Sequence, residues 1–284
     1  MYNSEVLGSE PLLQPTHHLT NEEYHAHPAI SRSALNAIAQ SPMHYWHRYL
    51  NPEARKPEPT PAMKFGTAVH MAVLEPELFL ETYAEAPSLP RTTKVGKEAW
   101  AAAEADGKQL LTTAELSTIE EMHTRLWEHP AATKALRAPG INEGSYITTC
   151  TDTGLEIKCR PDRLLESGWV VDLKTTQDAS AKAFAKSTAN FGYHVQAAFY
   201  MHTLRSLGAN PKGFIIVAIE KSAPYAVQAF RLSEETIDYG HSEMTTQLRT
   251  LSRCKDLYSV LDAPWPAYPE TVTELDLPTW ATRI

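Results

Sequence analysis

Between Ile141 and Leu232 apolar and polar positions alternate in short runs, and outside that stretch apolar residues recur every three or four positions. A period of two marks half-buried strands, and a period near 3.6 marks helices with one apolar face. The predicted strands are EGSYITTCT, LEIKCRPDRLL, WVVDLKTT, GFIIVAIE and YAVQAFRL, each bounded by turn residues. ISRSALNAIAQ predicts a helix capped by Ser31 or Ser33 and broken at Ser41-Pro42; KFGTAVHMAVLEPELF predicts a second that stops near Pro76. Further helices are predicted at KEAWAAAEA, at TAELSTIEEMHTRLWEH with a capping box from Thr112 and Glu115, at YHVQAAFYMHTLRSLG, and from Ser233 to about Tyr258. The expected organisation is a flexible lead-in over 1–27, one main domain over 28–262 with residues 94–138 as a helical arm beside the core, and a proline-rich tail over 263–284 packed on the surface.

Composition narrows the class. With 284 residues and 43% hydrophobic content the chain can bury a large core. No run approaches the roughly 18–20 apolar residues of a membrane span, and the N-terminus has no basic start followed by an apolar stretch, so the expected location is the cytoplasm. Cys150, Cys159 and Cys254 are an odd set at spacings unlike a metal site, and are expected to be reduced packing residues. A net charge of −8 argues against coating a polyanion, although it leaves room for a local basic channel.

The chemistry concentrates in RPDRLLESGWVVDLKTT, residues 160–176. A turn at Glu166-Ser167-Gly168 pairs Leu164 with Val170 and sets Asp162 opposite Asp172, with Cβ atoms roughly 4.5–5.5 Å apart. Lys174 shares the face of Asp172, while Val171 and Leu173 point the other way. Facing carboxylates repel, and a hard divalent cation such as Mg²⁺ is the economical compensation. The lysine beside it would orient or deprotonate a water, or stabilise developing phosphoryl charge. On this reading Asp172→Ala relieves repulsion and does not lower the melting temperature of the metal-free protein. The ordinary alternative is a surface ion pair between Asp172 and Lys174. Three other features bear on the choice: His70 in GTAVH as a third ligand or a packed helix histidine; Gln196 and Tyr200, one helical turn apart; and Glu143, a carboxylate entering the sheet.

GTAVH, CRPD, DLKTT and QAAFY stand in the order and approximate spacing of the G-x-x-x-H, aspartate, D-x-K and Q-x-x-x-Y elements of the RecB-like group of PD-(D/E)xK nucleases. Over about residues 28–262 the chain resembles the nuclease domain of RecE-type phage and prophage exonucleases. The resemblance implies an α/β fold with a restriction-endonuclease-like core, a mixed sheet flanked by helices. It implies two Mg²⁺ per site, with Mn²⁺ as a substitute, held by His70, Asp162, Asp172 and the Leu173 carbonyl, with Glu143 as a further ligand or supporting base. Lys174 would be the catalytic lysine, and Gln196 and Tyr200 would steady the site or touch DNA. Arg32 and Ser33 would contribute to a 5′-phosphate pocket, and Lys158, Arg160, Arg163, Lys182 and Lys186 are candidates for a channel wall. The implied activity is 5′-to-3′ digestion of double-stranded DNA ends, producing 3′ overhangs for a RecT-like annealing recombinase, by a ring-like homo-oligomer, a tetramer. Two alternatives stay open: an endonuclease or single-strand nuclease of the same fold, and a non-catalytic DNA-binding protein that has kept it. No G-x-x-x-x-G-K-[ST] is present, so no helicase motor is expected, and three cysteines are too few for a four-thiolate iron–sulfur cluster.

Overall fold

The computed structural model describes residues 12–55, 58–261 and 264–277; the outer parts of the expected lead-in (1–11) and tail (278–284) lie outside the described residues. The chain begins with α1 (Asn21–Ala26), α2 (Arg32–Gln40), α3 (Pro42–Tyr49), α4 (Pro61–Leu74), α5 (Pro76–Thr82), β1 (Tyr83–Glu85), α6 (Lys94–Ala105), β2 (Gln109–Leu111), α7 (Thr113–Glu128) and α8 (Pro130–Arg137). Then follow β3 (Gly140–Asn142), β4 (Tyr146–Thr149), β5 (Glu156–Cys159), β6 (Arg163–Leu165), β7 (Trp169–Thr176), α9 (Ala181–Phe191), α10 (Tyr193–Ser206), β8 (Gly213–Glu220), β9 (Val227–Arg231) and α11 (Glu234–Leu261).

The central sheet has the order β3-β6-β7-β8-β9. The β6–β7 hairpin keeps the predicted register, Arg163 opposite Val171 and Leu164 opposite Val170. Gly168 closes its turn at φ 83°, a conformation that side chains with a Cβ adopt at a cost. β7 and β8 run parallel, and α9 and α10 make the crossover that parallel neighbours need. β3, β6 and β9 join antiparallel, giving the mixed sheet expected from the sequence.

Helices cover both faces. Val170, Phe214, Ile216 and Ala218 pack with α2, α10 and α11 on one side. Val171, Leu173, Val217 and Ile219 pack with α4, α7 and α8 on the other. Fully burying side chains of this size stabilises by about 1.5–3 kcal/mol each, so strands apolar on both faces are what a two-sided cover requires. Gly240 allows α11 to lie against α10, because a Cβ there would sit 2.2 Å from the His194 carbonyl oxygen.

The structure departs from the sequence reading in four places. The strand expected over LEIKCRPDRLL is two, β5 and β6, interrupted at Arg160–Asp162 where Pro161 offers no N–H to a ladder. β5 leaves the central sheet to pair with β4. The expected helical arm divides: α7 and α8 bury Ile119, Met122, Leu126 and Leu136 against the sheet, and only α6 stands off the core. Residues 12–27 of the expected flexible lead-in are bonded down, with α1 closed by a Thr20–Glu23 capping box and Thr16 N donating to the Ser145 carbonyl at 3.0 Å. Finally α1, α3, α5, α8, α9, β1, β2 and β3 escaped prediction as separate elements: α3, α5 and α8 each begin at a proline, which ends one helix and starts the next, the three strands have three residues each, and α9 buries one large side chain, Phe184. The tail is anchored by buried Trp265, which stacks on Tyr45 at 5.6 Å. All three cysteines are free and buried, as expected. Among the described residues no helix is long and apolar enough to cross a membrane.

Candidate active site

The site forms where β7 meets the β5–β6 break, between α4 and α10. Asp172 lies in mid-β7 with 1% of its side chain exposed; its Oδ1 accepts from Gln196 Nε2 of α10 at 2.6 Å, and its Oδ2 lies 2.5 Å from Lys174 Nζ. Burial pushes the Asp172 carboxyl up to about 6, against the pull of Lys174 and with a further push from Asp162. Burial by itself would lower the Lys174 ammonium, but Asp172 and then Asp162 outweigh it and hold the group above its ordinary value. Lys174 is therefore a cation at neutral pH.

Asp162 stands just ahead of β6, outside the ladder that was expected to seat it opposite Asp172. Its Oδ2 turns onto the backbone of β7, accepting from Leu173 N at 2.6 Å, and lies 3.4 Å from His70 Nδ1. The repulsion expected between facing aspartates is thus divided: one carboxylate is taken by a backbone N–H, the other by an ammonium and an amide. The N–H and C=O of one strand residue point the same way, so the Leu173 carbonyl also faces the Asp162 side, away from β8. Glu143 joins from the β3–β4 connection. Its backbone sits at φ 49°, a left-handed conformation that costs a residue with a Cβ about 1–3 kcal/mol, and its N–H donates to the Asp162 carbonyl at 3.1 Å. Burial, then Asp162 and Glu75, push its carboxyl up to about 9.

One ligand atom each from His70, Glu143 and Asp162 lie within 4.8 Å of one another. These oxygen and imidazole donors suit a divalent cation, and two carboxyls whose charged forms are disfavoured in its absence are the electrostatic imprint of a site that takes positive charge. The residues present therefore fit a divalent metal. Asp172 is not one of these three; its oxygens contact Gln196 and Lys174, and as a carboxylate it keeps lone pairs for an ion shared with the group. Tyr200, one turn beyond Gln196, keeps its hydroxyl proton to well above ordinary pH because burial and then Tyr24 and Asp172 disfavour the phenolate.

The expected basic surface is not where the sequence put it. Arg160 is buried, donating to Ser145 Oγ from Nε at 3.0 Å and to the Leu19 carbonyl from Nη2 at 2.8 Å. Lys158 is buried too, bonded to the Tyr24 and His27 carbonyls, and burial lowers its ammonium to about 8. Arg163 is held by Asn142 Oδ1 and the Ala138 carbonyl. These three cations tie α1, α8 and β3 to the sheet and are themselves buried. Arg32 Nη2 donates to the carbonyls of Phe191 and Gly192 at 2.9 and 2.8 Å, closing the end of α9, and Ser33 Oγ shares hydrogen bonds with Ser31 and Tyr49. Of the five expected channel-wall cations only Lys182 and Lys186 are exposed. Arg160→Ala is accordingly expected to cost about 2–3 kcal/mol of stability in denaturant melts. Unchanged stability would mean that these bonds of Arg160 do not hold the fold.

Two residues near the site escaped the sequence reading. Glu75, at the α4–α5 junction, acts on both Glu143 and Arg160. Tyr193 presents its ring 5.2 Å from Lys174 Nζ. Its position three residues before Gln196, on the same helix face, was the available signal.

Among solved structures the chain resembles a candidate exonuclease from Eubacterium rectale, with 14% identity, a TM-score of 0.55, and coverage of 92% of this chain and 97% of that one. At this identity the likeness is one of fold. A phage-related exonuclease from Haemophilus somnus (11% identity, 66% of this chain and 92% of that one, TM-score 0.31) and an alkaline exonuclease from Laribacter hongkongensis (14%, 66% and 87%, TM-score 0.28) are too distant in shape to carry an argument. No curated protein matches the sequence. A family model described as a PDDEXK-like domain of unknown function matches residues 31–269, which span every element of the site. The mixed sheet, the D-x-K strand and this match agree: the chain belongs to the DUF3799 family of PDDEXK-like domains.

Proposed function

We propose that the protein is a divalent-metal-dependent nuclease that digests double-stranded DNA from 5′ ends, leaving 3′ single strands. The observation that carries the nuclease reading is the convergence of His70, Glu143 and Asp162 beside the buried Asp172–Lys174 pair. Phosphoryl transfer asks a protein mainly to position groups and stabilise charge, and this cluster supplies both. A divalent ion held by His70, Asp162, Asp172, Glu143 and the Leu173 carbonyl would acidify a bound water and neutralise the leaving oxygen. Lys174, cationic and 19% exposed, directs N–H donors at the attacking water and positive charge at the phosphate; held in its charged form by Asp172, it does not serve as the base. Gln196 locks the Asp172 carboxylate, Leu173 N locks that of Asp162, and Tyr200 remains a hydroxyl donor.

Duplex ends, 5′-to-3′ direction, Mg²⁺ as the working ion, an annealing-recombinase partner, a tetramer and a cytoplasmic setting rest on the resemblance of the four motifs to RecE-type enzymes. The test is digestion of linear duplex labelled at the 5′ or the 3′ end, beside a closed circle, with Mg²⁺, Mn²⁺ or EDTA. Early release of 5′-labelled mononucleotide with the circle intact is the expected result. A nicked or linearised circle would replace the exonuclease by an endonuclease, and no metal-dependent cleavage of any substrate would leave a DNA-binding protein.

A further inference from the structure

We infer that Phe191 and Tyr193 form a stacking platform for a nucleobase of the strand being cut; the inference rests on the nuclease reading and assigns that site a base-binding position. The platform begins at the catalytic lysine. Lys174 Nζ faces the Tyr193 ring at 5.2 Å, and the Tyr193 ring lies 5.8 Å from that of Phe191 at a 30° tilt. Phe191 is 62% exposed.

The corner is rigid from beneath. Tyr193 leans on Phe184, which is buried and stacked on Phe230 at 4.8 Å with the rings 2° from parallel. Arg32 binds the carbonyls of Phe191 and Gly192, and Gly192 at φ 64° turns α9 into α10, so the backbone carrying Phe191 is held while its ring is left to solvent. A phenylalanine kept in water on a fixed backbone gives up the stabilisation of burial. An immobile ring at low entropic cost is what stacking on a base requires. Tyr239 is also exposed, at 70%, but among the described residues no ring contact leads from it to the site. The ligand class follows from the surface: the exposed Phe191 ring, a flat π face with no donor or acceptor of its own, recognises bases without distinguishing them, which suits an enzyme that must pass along any sequence.

The test uses the whole chain, as wild type, Phe191→Ala and Phe191→Trp. Steady-state kinetics on 5′-phosphorylated duplexes should show Phe191→Ala raising KM about ten- to hundredfold with kcat little changed, the size expected for one stacked base. The difference should vanish on duplexes with an abasic residue at the stacked position, and Phe191→Trp should restore wild-type KM. In a second arm 2-aminopurine is placed in turn at the first four positions of the cut strand, with calcium in place of magnesium. Quenching at one position, lost in Phe191→Ala and kept in Phe191→Trp, is the expected signature. Equal KM in all variants without quenching, or a penalty that persists on abasic DNA, overturns the platform while leaving the nuclease standing. A Phe191→Ala change in sedimentation state with quenching intact would make Phe191 a subunit contact and overturn it as well. If the wild type cleaves no DNA, the nuclease reading falls and the fluorescence arm alone decides whether Phe191 stacks on a base.

Discussion

Asp172→Ala will abolish cleavage, by at least on the order of 10³ in kcat, and will also lower the melting temperature of the metal-free protein. The second half reverses what the sequence alone suggests. Two aspartates facing across a hairpin ought to repel, so that removing one relieves strain. In the folded chain Asp162 bonds to Leu173 N, whereas Asp172 neutralises Lys174 and accepts from Gln196. Its removal leaves a largely buried ammonium and an amide without their partner. Breaking a buried pair from one side costs about 3–5 kcal/mol, and the 19% exposure of Lys174 brings the expectation to the lower end of that range. Lys174→Met should destabilise as well, because the Asp172 carboxylate would keep only Gln196. Combining Asp172→Asn with Lys174→Met should recover much of the stability and none of the activity, since the pair then buries no charge and Gln196 keeps an oxygen to donate to. Denaturant melts in EDTA beside end-labelled digestion decide the matter. An Asp172→Ala protein more stable than wild type would mean that repulsion from Asp162 dominates after all.

The second large effect is the pH dependence of metal binding. Burial with neighbouring carboxylates puts Glu143 at about 9, and burial puts Asp172 at about 6. Both are raised above their unfolded values. Their contribution to metal-free stability is therefore complete below the ordinary carboxylate range and is lost as pH rises through about 6 and then about 9. A bound cation needs both groups ionised, so binding expels protons, and affinity should rise about tenfold per pH unit for each proton released. Thermal shift titrations with Mn²⁺ at pH 6, 7 and 8 should show affinity climbing steeply. In EDTA the melting temperature should fall over the same range, and Glu143→Gln should flatten that fall while weakening the metal. A wild-type affinity that does not vary with pH would place Glu143 outside the metal shell.

Much of this protein is determined locally and was legible as such. The strands at 169–176 and 213–220, the hairpin register, the capped helix at Thr112 and the lysine on the face of Asp172 follow from period, turn chemistry and capping, all of which act within a few residues. The motif order GTAVH, CRPD, DLKTT, QAAFY likewise indicated which polar groups would meet, and His70 and Asp162 do converge, joined by Glu143 from outside those four motifs. What tertiary structure alone decided is how each charge is spent. Lys158, Arg160 and Arg163 sit beside the motifs as channel residues would in sequence, yet they are bound to carbonyls of α1, the end of α8 and the Leu19–Thr20 segment, partners more than 20 residues away in the chain. Arg32, placed by sequence at a phosphate pocket, closes the end of a helix some 160 positions later that was itself not predicted. Spacing along a chain specifies which face a side chain takes. Whether a charge on that face meets solvent, a counter-ion or a distant backbone depends on which segments the fold packs against it, and burial then sets its protonation.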